Sequence, residues 1–173
     1  MAVAKTTIEM FRGTVKAPFG ILTVVASDKG VRFCMFEEDA HPKSFDGLRI
    51  KDDANHPMVK EALTQLREYF AGTRKKFDVK LDLQGTEFQV AAWKSLAKVP
   101  YGKTASYAQQ AASIGRPKAV RAIGGANGRN PVVVILPCHR IIGADGSLTG
   151  FGGGLPVKVW LLEHEQKMSA QSK

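Results

Sequence analysis

An unbroken aliphatic run near the end of the chain stops abruptly at a proline and a cysteine. Residues 132–136 are VVVIL, and the next four positions are Pro137, Cys138, His139 and Arg140. Such a run predicts a strand that is buried on both faces, and Pro137 ends its pairing because proline has no N–H to donate. We therefore expect Cys138 at the exit of a buried strand, a common place for a functional side chain.

The neighbours of Cys138 favour a reactive thiol. A lone cysteine is most often a buried apolar side chain, but His139 and Arg140 are residue types that can hold a thiolate and lower its pKa. Adjacent side chains of a strand point to opposite faces. His139 would therefore act on the thiol only if the backbone turns or a water joins the two groups.

Length and composition are those of an ordinary globular protein. The chain has 173 residues, 44% hydrophobic and 24% charged, enough for one compact domain or two small ones. We find no signal-like segment and no apolar stretch approaching the ~18 residues of a membrane span, so we expect a cytoplasmic protein without membrane association. Only Cys34 and Cys138 are cysteines, which excludes a disulfide framework, and a single bridge between them is disfavoured in a reducing cytosol.

Positive charge is concentrated in one segment of the chain. The net charge is +9, and residues 88–140 contain eight lysines and arginines but no aspartate or glutamate. A solvated basic face is one interpretation of this pattern. A segment of that length without any carboxylate nevertheless favours a polyanionic partner such as nucleic acid.

Residues 1–85 predict a small α+β domain with a structural role. Two apolar segments around an Asp-Lys-Gly turn, residues 21–27 and 31–36, predict a hairpin, and residues 41–56 have the composition of a loop. Pro57 begins a predicted helix that stops at Gly72. Alternating apolar residues then predict a half-buried strand, namely Phe77, Val79, Leu81 and Leu83.

Residues 86–173 predict a mostly helical domain. A capping box at Thr86 and Gln89 opens a helix, and two short helices follow at residues 107–114 and 118–127. Val120 and Ile123 are expected to face inward from the last of these. A tight glycine-containing turn joins the two short helices inside the segment that lacks acidic residues, which indicates a helix-turn-helix.

The last of these short helices contains small residues that weaken it. Two adjacent glycines cost about 1 kcal/mol each relative to alanine, and they stand beside an alanine as Gly124-Gly125-Ala126. One explanation is close packing of the helix in the core. The other is that the helix backbone presses against a nucleic acid backbone without reading bases, while Arg121 on the same helix reaches into the duplex.

Taken together, these motifs resemble the O6-alkylguanine-DNA alkyltransferase family. The matching segments are Asn130-Pro131, Pro137-Cys138-His139-Arg140, the glycine-rich loop through Gly154, the helix at residues 158–165, Ser106-Tyr107 and residues 119–126. The resemblance is close over residues 86–166 and extends to the N-terminal part in layout only. It implies an α+β fold of two small domains, the second with a helix-turn-helix and a short active-site strand.

The resemblance also implies a reaction. A methylated-DNA–protein-cysteine methyltransferase of this kind moves the alkyl group of O6-alkylguanine to its own thiol, here Cys138, for which a soft thiolate is a suitable nucleophile. His139 would activate the thiol through a bridging water, Glu165 would orient His139, and Asn130 would brace the turn before the active strand. The thioether has no easy hydrolytic exit, so the protein is consumed in a single turnover.

A base inside a duplex cannot reach a buried sulfur, so the family's chemistry requires nucleotide flipping. Arg121 would fill the gap left in the base stack, and Tyr107 would donate to the flipped base. The other expected DNA contacts are Ser106, Lys118, Gly124, Gly125, Ala126 and Arg129. The substrate pocket is expected to include Asn127, Ile141, Phe151, Gly152 and Lys158, with Lys158 supporting the loop, whereas Glu163 and His164 are expected on a solvated surface.

Some positions depart from the family's pattern. Many relatives have a tyrosine in place of Phe151, some have a hydroxyl residue in place of Gly152, and some have an apolar residue in place of Asn127. These departures leave open the range of alkyl groups and activity on O4-alkylthymine. The N-terminal part lacks the cysteines with which some members bind zinc, so we predict no metal, and we predict no cofactor.

Two other functions remain as alternatives. A non-catalytic alkyltransferase-like protein would bind the lesion with the same helices, but such relatives usually lack the cysteine found at Cys138. A Cys-His hydrolase would turn over repeatedly, and it needs oxyanion donors that the sequence does not indicate. The expected partner is double-stranded DNA that contains O6-alkylguanine, bound by a monomer, and the charge pattern allows cooperative assembly on DNA.

Overall fold

The computed structural model describes residues 8–39 and 45–171. A four-stranded sheet and five helices make up most of this part of the chain, which confirms the α+β class. The strands are β1 (Ile8–Ala17), β2 (Gly20–Ser27), β3 (Gly30–Phe36) and β4 (Leu48–Asp52), in the order β3-β2-β1-β4. β4 pairs parallel to β1, and the other two pairings are antiparallel.

The hairpin predicted around the Asp-Lys-Gly turn is confirmed as β2 and β3. The loop predicted for residues 41–56 is wrong over Leu48–Asp52, which forms β4, whereas residues 46–47 and 53–56 are turns or irregular chain as predicted; residues 41–44 lie outside the described residues. Leu48 and Ile50 are only half-buried at the sheet edge. A five-residue edge strand with two apolar positions leaves too weak an alternation to be detected in the sequence.

Helix α1 (Pro57–Phe70) packs across the sheet and confirms the helix predicted to begin at Pro57. Its buried face consists of Val59, Ala62, Leu63, Gln65, Leu66 and Tyr69. The chain then reverses through Gly72, whose φ of +83° is a left-handed conformation that glycine adopts without strain. This turn lies against the second half of the chain, where a methyl group added at Gly72 would meet Met168.

The strand predicted from Phe77 to Leu83 is wrong, although its burial pattern is as expected. All four apolar side chains are half-buried against the main hydrophobic cluster. The backbone pairs only through a single bridge between Val31 and Leu81. Alternating burial requires an extended chain, but a strand also requires a continuous ladder of backbone hydrogen bonds. Here the backbone of residues 80 and 82 bonds to Val31, whereas that of Asp78 bonds to the side chain of Gln65.

Four helices and two very short strands follow. They are α2 (Glu87–Leu96), β5 (Ala105–Ser106), α3 (Tyr107–Ser113), α4 (Val120–Gly128), β6 (Ile141–Ile142) and α5 (Leu155–Gln171). Capping boxes are present at both Thr86 and Ser106. α2, α3 and α4 enclose a small core made of Ala92, Ala111, Ile123 and Ala126. Val120, which was expected to face inward, is 39% exposed, and its prediction is wrong.

The strand predicted for residues 132–136 is also wrong. Val132 makes one bridge with Cys34, and the chain then turns on itself through hydrogen bonds from Ile135 N to Val133 O and from Leu136 N to Val132 O. Val134 has a φ of +70°. Four of the five side chains are buried as expected, and Val133 is half-buried. A continuous aliphatic run indicates burial but does not distinguish a strand from a compact buried turn.

The main hydrophobic cluster includes residues from both halves of the chain. Leu22, Val24 and Leu66 belong to it together with Leu96 and Leu161. Cys34 and Cys138 are both free thiols within this cluster. None of the helices in the described part of the chain combines the length and the apolarity that a bilayer crossing demands.

Candidate active site

Cys138, His139 and Arg140 form one turn of 3₁₀-helix immediately after Pro137. The Cys138 N–H donates to Leu136 O at 2.9 Å, and the Arg140 N–H donates to Pro137 O at 3.0 Å. Successive side chains of a 3₁₀-helix are about 120° apart rather than on opposite faces. Of the two ways in which His139 could act on the thiol, a turn of the backbone or a bridging water, the structure shows the turn.

The thiol of Cys138 is almost completely buried. The residue is 7% exposed. Burial raises the pKa of Cys138, and a hydrogen bond with Asn130 together with the nearby charge of Lys158 opposes that rise. A thiol in this setting is protonated at neutral pH in the free protein, and positive charge lies close enough to favour a thiolate when one forms.

His139 is fully buried, and one of its nitrogens contacts a carboxylate. Its Nε2 lies 2.6 Å from Glu165 Oε2. Burial lowers the pKa of His139 more than the hydrogen bond to Glu165 raises it, so the ring is neutral at pH 7 and Nε2 carries the proton that Glu165 accepts. Nδ1 then carries the lone pair, and it is buried without a hydrogen-bond partner among the described residues.

Glu165 accepts hydrogen bonds from both halves of the chain. Oε2 accepts from His139 Nε2 at 2.6 Å, Tyr69 Oη at 2.6 Å and Arg140 Nη2 at 3.1 Å, and Oε1 accepts from Arg140 Nε at 2.8 Å and the Gly102 N–H at 3.1 Å. Burial alone would raise the pKa of Glu165, but hydrogen bonds and charge from His139 and Arg140 outweigh it and hold the pKa at about 2. The carboxylate is therefore a permanent anion at neutral pH.

Arg140 has a different position from the one expected. Its guanidinium grips Glu165 with two nitrogens, and its Nη1 donates to Val99 O at 2.7 Å. The cation whose charge lowers the pKa of the Cys138 thiol is instead Lys158. Arg140 thus neutralises the buried carboxylate, as a charge with 1% exposed surface requires.

Asn130 holds the aliphatic turn closed with both ends of its side chain. Its Nδ2 donates to Leu136 O at 2.8 Å, and its Oδ1 accepts from the Val132 N–H at 3.0 Å. One amide thus bonds two backbone groups that a strand would have paired in a ladder. Asn130 also lowers the pKa of Cys138 against the effect of burial, so the same residue shapes the turn and favours the thiolate.

A cavity of about 580 Å³ brings the thiol together with α3, α4 and the glycine-rich loop. It is lined by Tyr107, Val120, Arg121, Gly124, Asn127, Gly128, Cys138, Thr149, Gly150, Phe151 and Gly152. Six of the residues singled out in the sequence for DNA or substrate contact therefore surround Cys138. Tyr107 closes one wall, with its hydroxyl 3.2 Å from Thr149 Oγ1.

Other residues singled out in the sequence lie outside this cavity. Ser106, Lys118, Gly125 and Arg129 do not line it, and Ala126 is buried with its carbonyl bonded to Trp93 Nε1. Ile141 is fully buried, and its carbonyl accepts from Lys158 Nζ at 2.6 Å. Lys158 also donates to Thr149 O at 3.2 Å, so it links the active-site turn to the loop that forms the opposite wall.

The glycines of α4 do not serve close packing within this chain. A methyl group added at Gly124, Gly125 or Gly128 would lie more than 4 Å from every atom other than its chain neighbours and the backbone of its own helix. Open space beside a helical glycine excludes the explanation that neighbouring side chains require it. The bare backbone of α4 instead faces outward, on the same helix as the exposed Arg121.

Sequence reasoning missed several residues of this site. Tyr69 lies in the segment assigned a purely structural role, and Gly102 contributes only a backbone N–H. His164 was expected on a solvated surface, but it is 9% exposed with its Nε2 2.8 Å from Tyr69 O. A tyrosine on the buried face of a helix was the one available signal, because a buried phenol usually has a hydrogen-bond partner.

In residues 8–39 and 45–171, no group of three or more His, Cys, Asp or Glu side chains is placed to hold a metal ion.

Comparison with known proteins gives consistent matches over most of the chain. Residues 87–167 match the family model described as 6-O-methylguanine DNA methyltransferase, DNA binding domain, and residues 10–83 match its ribonuclease-like domain. The methylated-DNA–protein-cysteine methyltransferase of Methanosarcina barkeri is 41% identical over 91% of this chain and 98% of that protein. The protein of the same name from Mycolicibacterium paratuberculosis is 43% identical over 92% and 94%. A crystal structure of Mycobacterium tuberculosis OGT in complex with DNA superimposes with a TM-score of 0.82, at 41% identity, over 93% of this chain and 94% of that one.

Proposed function

This chain belongs to the 6-O-methylguanine DNA methyltransferase family, and from that premise we propose that it repairs DNA by moving the alkyl group of O6-alkylguanine irreversibly onto Cys138. It is a methylated-DNA–protein-cysteine methyltransferase. The observation that carries the proposal is the placement of one buried thiol, backed by the His139–Glu165 pair, in the wall of a cavity whose other wall includes Arg121 and Gly124.

The proton path begins at the thiol. Burial keeps Cys138 protonated at rest, so the proton has to leave as the reaction starts. Because Glu165 fixes the proton of His139 on Nε2, Nδ1 is free to accept one. We propose that a water carries the proton from Sγ to Nδ1, and that the resulting imidazolium is stabilised by the permanent charge of Glu165.

The transfer itself is a displacement at an sp³ carbon. The bond from Sγ to the alkyl carbon forms as the carbon–O6 bond breaks, and the electron pair of that bond goes to the guanine ring. The proton taken from the thiol ends on guanine N1, so the products are guanine and S-alkylcysteine. The asparagine hydrogen bond and the charge of Lys158 favour the thiolate during this step.

Tyr107 is the proposed donor to the departing base. Its hydroxyl contacts Thr149 only through long hydrogen bonds of 3.2 and 3.4 Å. Such weak bonds are exchanged at small cost. A hydroxyl directed at the base would offset the negative charge that develops on guanine as the alkyl group leaves.

Access to the thiol requires that the nucleotide leave the duplex. A flipped base fits the position of the cavity between α3, α4 and residues 149–152. We propose that α3 and α4 act as a helix-turn-helix, that the bare backbone at Gly124 and Gly125 approaches the minor groove, and that Arg121 occupies the gap in the base stack. Ser106, Lys118 and Arg129 lie outside the cavity and are proposed to contact the DNA backbone.

Each molecule is proposed to react once. A thioether does not exchange its alkyl group with water under ordinary conditions, so the modified cysteine is an end product. We further propose that residues 86–173 carry the DNA-binding and acceptor functions, that residues 1–85 form an α+β domain with a structural role, and that a monomer binds duplex DNA containing the lesion. Whether the protein also accepts larger alkyl groups, or acts on O4-alkylthymine, is measured by the mass change of Cys138 after incubation with DNA that contains those lesions.

The test is intact-protein mass spectrometry after incubation with duplex DNA containing O6-methylguanine. We expect one added methyl group, in place of the thiol hydrogen, on the peptide that contains Cys138, in a one-to-one ratio with restored guanine. The control is Cys138→Ser, which should bind the same DNA without any change in mass. Binding without a mass change in the wild-type protein would identify a lesion-binding protein, and repeated turnover without modification would identify a hydrolytic enzyme.

A further inference from the structure

We infer that Tyr69, from helix α1 in the N-terminal half of the chain, is a positioning residue of the alkyl-transfer site and acts by holding the carboxylate of Glu165. The inference rests on the role proposed above for the His139–Glu165 pair. It gives a part in the reaction, through Glu165, to a segment that the sequence marks as structural only.

The contact is short and involves the oxygen that faces the histidine. Tyr69 Oη donates to Glu165 Oε2 at 2.6 Å, and His139 Nε2 lies 2.6 Å from the same oxygen. Tyr69 and Glu165 are 0% and 1% exposed. A hydrogen bond to an ionised acceptor in a buried site is shorter and stronger than a neutral one, so this phenol contributes more than packing.

The phenol is the only donor to Glu165 from outside residues 86–173 among the described residues. Arg140, His139 and the Gly102 N–H supply the others. Burial and the adjacent carboxylate both raise the pKa of Tyr69. The hydroxyl consequently stays protonated and acts as a donor throughout the range in which the protein is folded.

The backbone of Tyr69 is fixed to the same helix as its hydroxyl partner. His164 Nε2 lies 2.8 Å from Tyr69 O, and His164 directly precedes Glu165 on α5. α1 therefore contacts α5 twice at one residue, through the carbonyl to His164 and through the hydroxyl to Glu165. A shift of the N-terminal half relative to α5 would alter both contacts, so the site senses how that half is docked.

The expected effect on chemistry follows from the sharing of one carboxylate oxygen, Glu165 Oε2, among three donors, namely Tyr69, His139 and Arg140. With Tyr69 in place, part of the negative charge on Oε2 is taken by the phenol, which limits how strongly that oxygen stabilises an imidazolium. Without the hydroxyl, only Arg140 still shares Oε2 with His139, so His139 interacts with a larger part of the negative charge of that oxygen and becomes more basic. The ring would then hold its proton to a higher pH, and the carboxylate would lose one of the bonds that fix its orientation.

Several other charged or titratable groups surround the pair and stay in place when the hydroxyl is removed. They are Cys138 and Arg140 from the active-site turn, Tyr101 from the segment before β5, and Lys158 and His164 from α5. A change of pH profile on removal of the Tyr69 hydroxyl alone therefore reports on Tyr69.

Tyr69→Phe tests the inference, and Tyr101→Phe is its matched control. The Tyr101 ring lies 6.1 Å from the Tyr69 ring, and its hydroxyl is buried without a hydrogen-bond partner among the described residues. Both changes remove one buried phenolic oxygen from the same region, but only the first removes a bond to Glu165. The measurements are single-turnover alkyl transfer from O6-methylguanine duplex as a function of pH, and DNA affinity by fluorescence anisotropy.

We expect Tyr69→Phe to slow transfer on the order of tenfold, less than the ~10²-fold or more carried by the base itself. Its pH–rate curve should move to higher pH, with DNA affinity unchanged. Tyr101→Phe should stay within about twofold of wild type with the same curve. A slowed Tyr69→Phe whose pH curve is unchanged would identify a packing role alone and overturn the inference.

A third variant separates this inference from the proposed function. If Glu165→Gln is slow while Tyr69→Phe matches wild type, the inference is wrong and the proposed function stands. If Glu165→Gln also reacts at the wild-type rate, the proposed role of the His139–Glu165 pair is wrong, and the inference is wrong with it.

The wild-type protein offers a check that does not depend on the folding of a variant. The hydroxyl proton of Tyr69 and the Nε2 proton of His139 both point at Glu165 Oε2. Proton NMR should therefore show a nuclear Overhauser cross-peak between them. Observation of both protons without a cross-peak would contradict the shared oxygen.

Discussion

Gln110 and Asn127 exchange two side-chain hydrogen bonds across the interface of α3 and α4. Gln110 Nε2 donates to Asn127 Oδ1 at 3.0 Å, and Asn127 Nδ2 donates to Gln110 Oε1 at 2.7 Å. Gln110 is 3% exposed and also donates to Ala92 O on α2. The amide pair thus fixes the helix that bears Arg121 against the two helices beneath it.

The stability of the protein should depend on this pair as a unit. Asn127→Ala leaves the buried Gln110 Oε1 without its donor, and Gln110→Ala leaves the half-buried Asn127 amide without its partner. Each change should cost about 1–3 kcal/mol of the free energy of unfolding. The double variant should cost less than the sum of the two, with a coupling of about 1 kcal/mol, measured by urea denaturation. The exposed Asn55→Ala serves as the control and should change stability by less than about 0.5 kcal/mol; additive effects would show that the pair is not coupled.

Gly124→Ala should change stability and DNA binding in opposite directions. Apart from the backbone of its own helix and its two chain neighbours, nothing lies within 4 Å of the added methyl group, so the free protein should gain about 0.5–1 kcal/mol from the helix propensity of alanine. The same methyl group would stand between α4 and the DNA, and affinity for duplex DNA should fall several-fold. Thermal denaturation and fluorescence anisotropy measure the two effects.

Gly115→Ala provides the contrast for that measurement. Its added methyl group also meets open space, but its φ of +72° is unfavourable for alanine, so this variant should lose stability. If Gly124→Ala is more stable and binds DNA as well as wild type, α4 does not approach the DNA at that position.

Arg121→Ala should impair the reaction on duplex DNA without affecting the chemistry at Cys138. The side chain is exposed at the mouth of the cavity, and loss of an inserted side chain removes about 2 kcal/mol from the stabilisation of the flipped state, roughly 30-fold in rate. The free base O6-methylguanine needs no flipping, so its reaction rate should be unchanged. The control is Arg49→Ala, which removes an exposed arginine from the edge strand β4, remote in sequence from Arg121. Equal losses of rate on duplex DNA and on the free base would place Arg121 in the chemical step instead.

Acid should unfold the protein partly through Glu165. Its pKa is about 2 in the folded state against an ordinary 4.5, so the unfolded state binds more protons between those values. The stabilisation from Glu165 is therefore complete above about pH 4.5, and up to about 3 kcal/mol of it is lost as the pH falls toward 2.

Urea midpoints measured from about pH 6 to about pH 3 should decline steeply. The comparison variant is Asp52→Asn, which removes a fully exposed carboxylate whose pKa is lowered by Arg12. It should keep the wild-type decline, since an exposed ion pair is screened by solvent. A midpoint independent of pH down to about 3 would contradict the buried Glu165 network.

The features that sequence reasoning located correctly depend on a few neighbouring residues. The capping box at Thr86, the helix that begins at Pro57 and the hairpin of β2 and β3 are all set by local backbone hydrogen bonds and turn chemistry. The family and the α+β class followed from motifs that are contiguous in the chain. Nothing from elsewhere in the fold was needed to recognise them.

The failures share a different cause. Residues 132–136 are as buried as a strand would be, but their hydrogen bonds go to Asn130, to Cys34 and to one another. Val120 lies on an apolar pattern, yet it faces the cavity and not the core. Burial can be estimated from residue type, whereas the partner of each backbone group depends on which segments the fold brings together.

The sequence by itself determined the reacting group and its neighbourhood in the chain: a thiol next to an imidazole, after a proline, within a basic segment that lacks acids. Tertiary structure alone decided that the backbone turns at Cys138, that Arg140 serves Glu165 and not the thiol, and that Tyr69 completes the carboxylate's bonds. The physical reason is that a buried charge must be satisfied by donors from any direction, and residues that meet in space across 96 positions of sequence leave no local pattern.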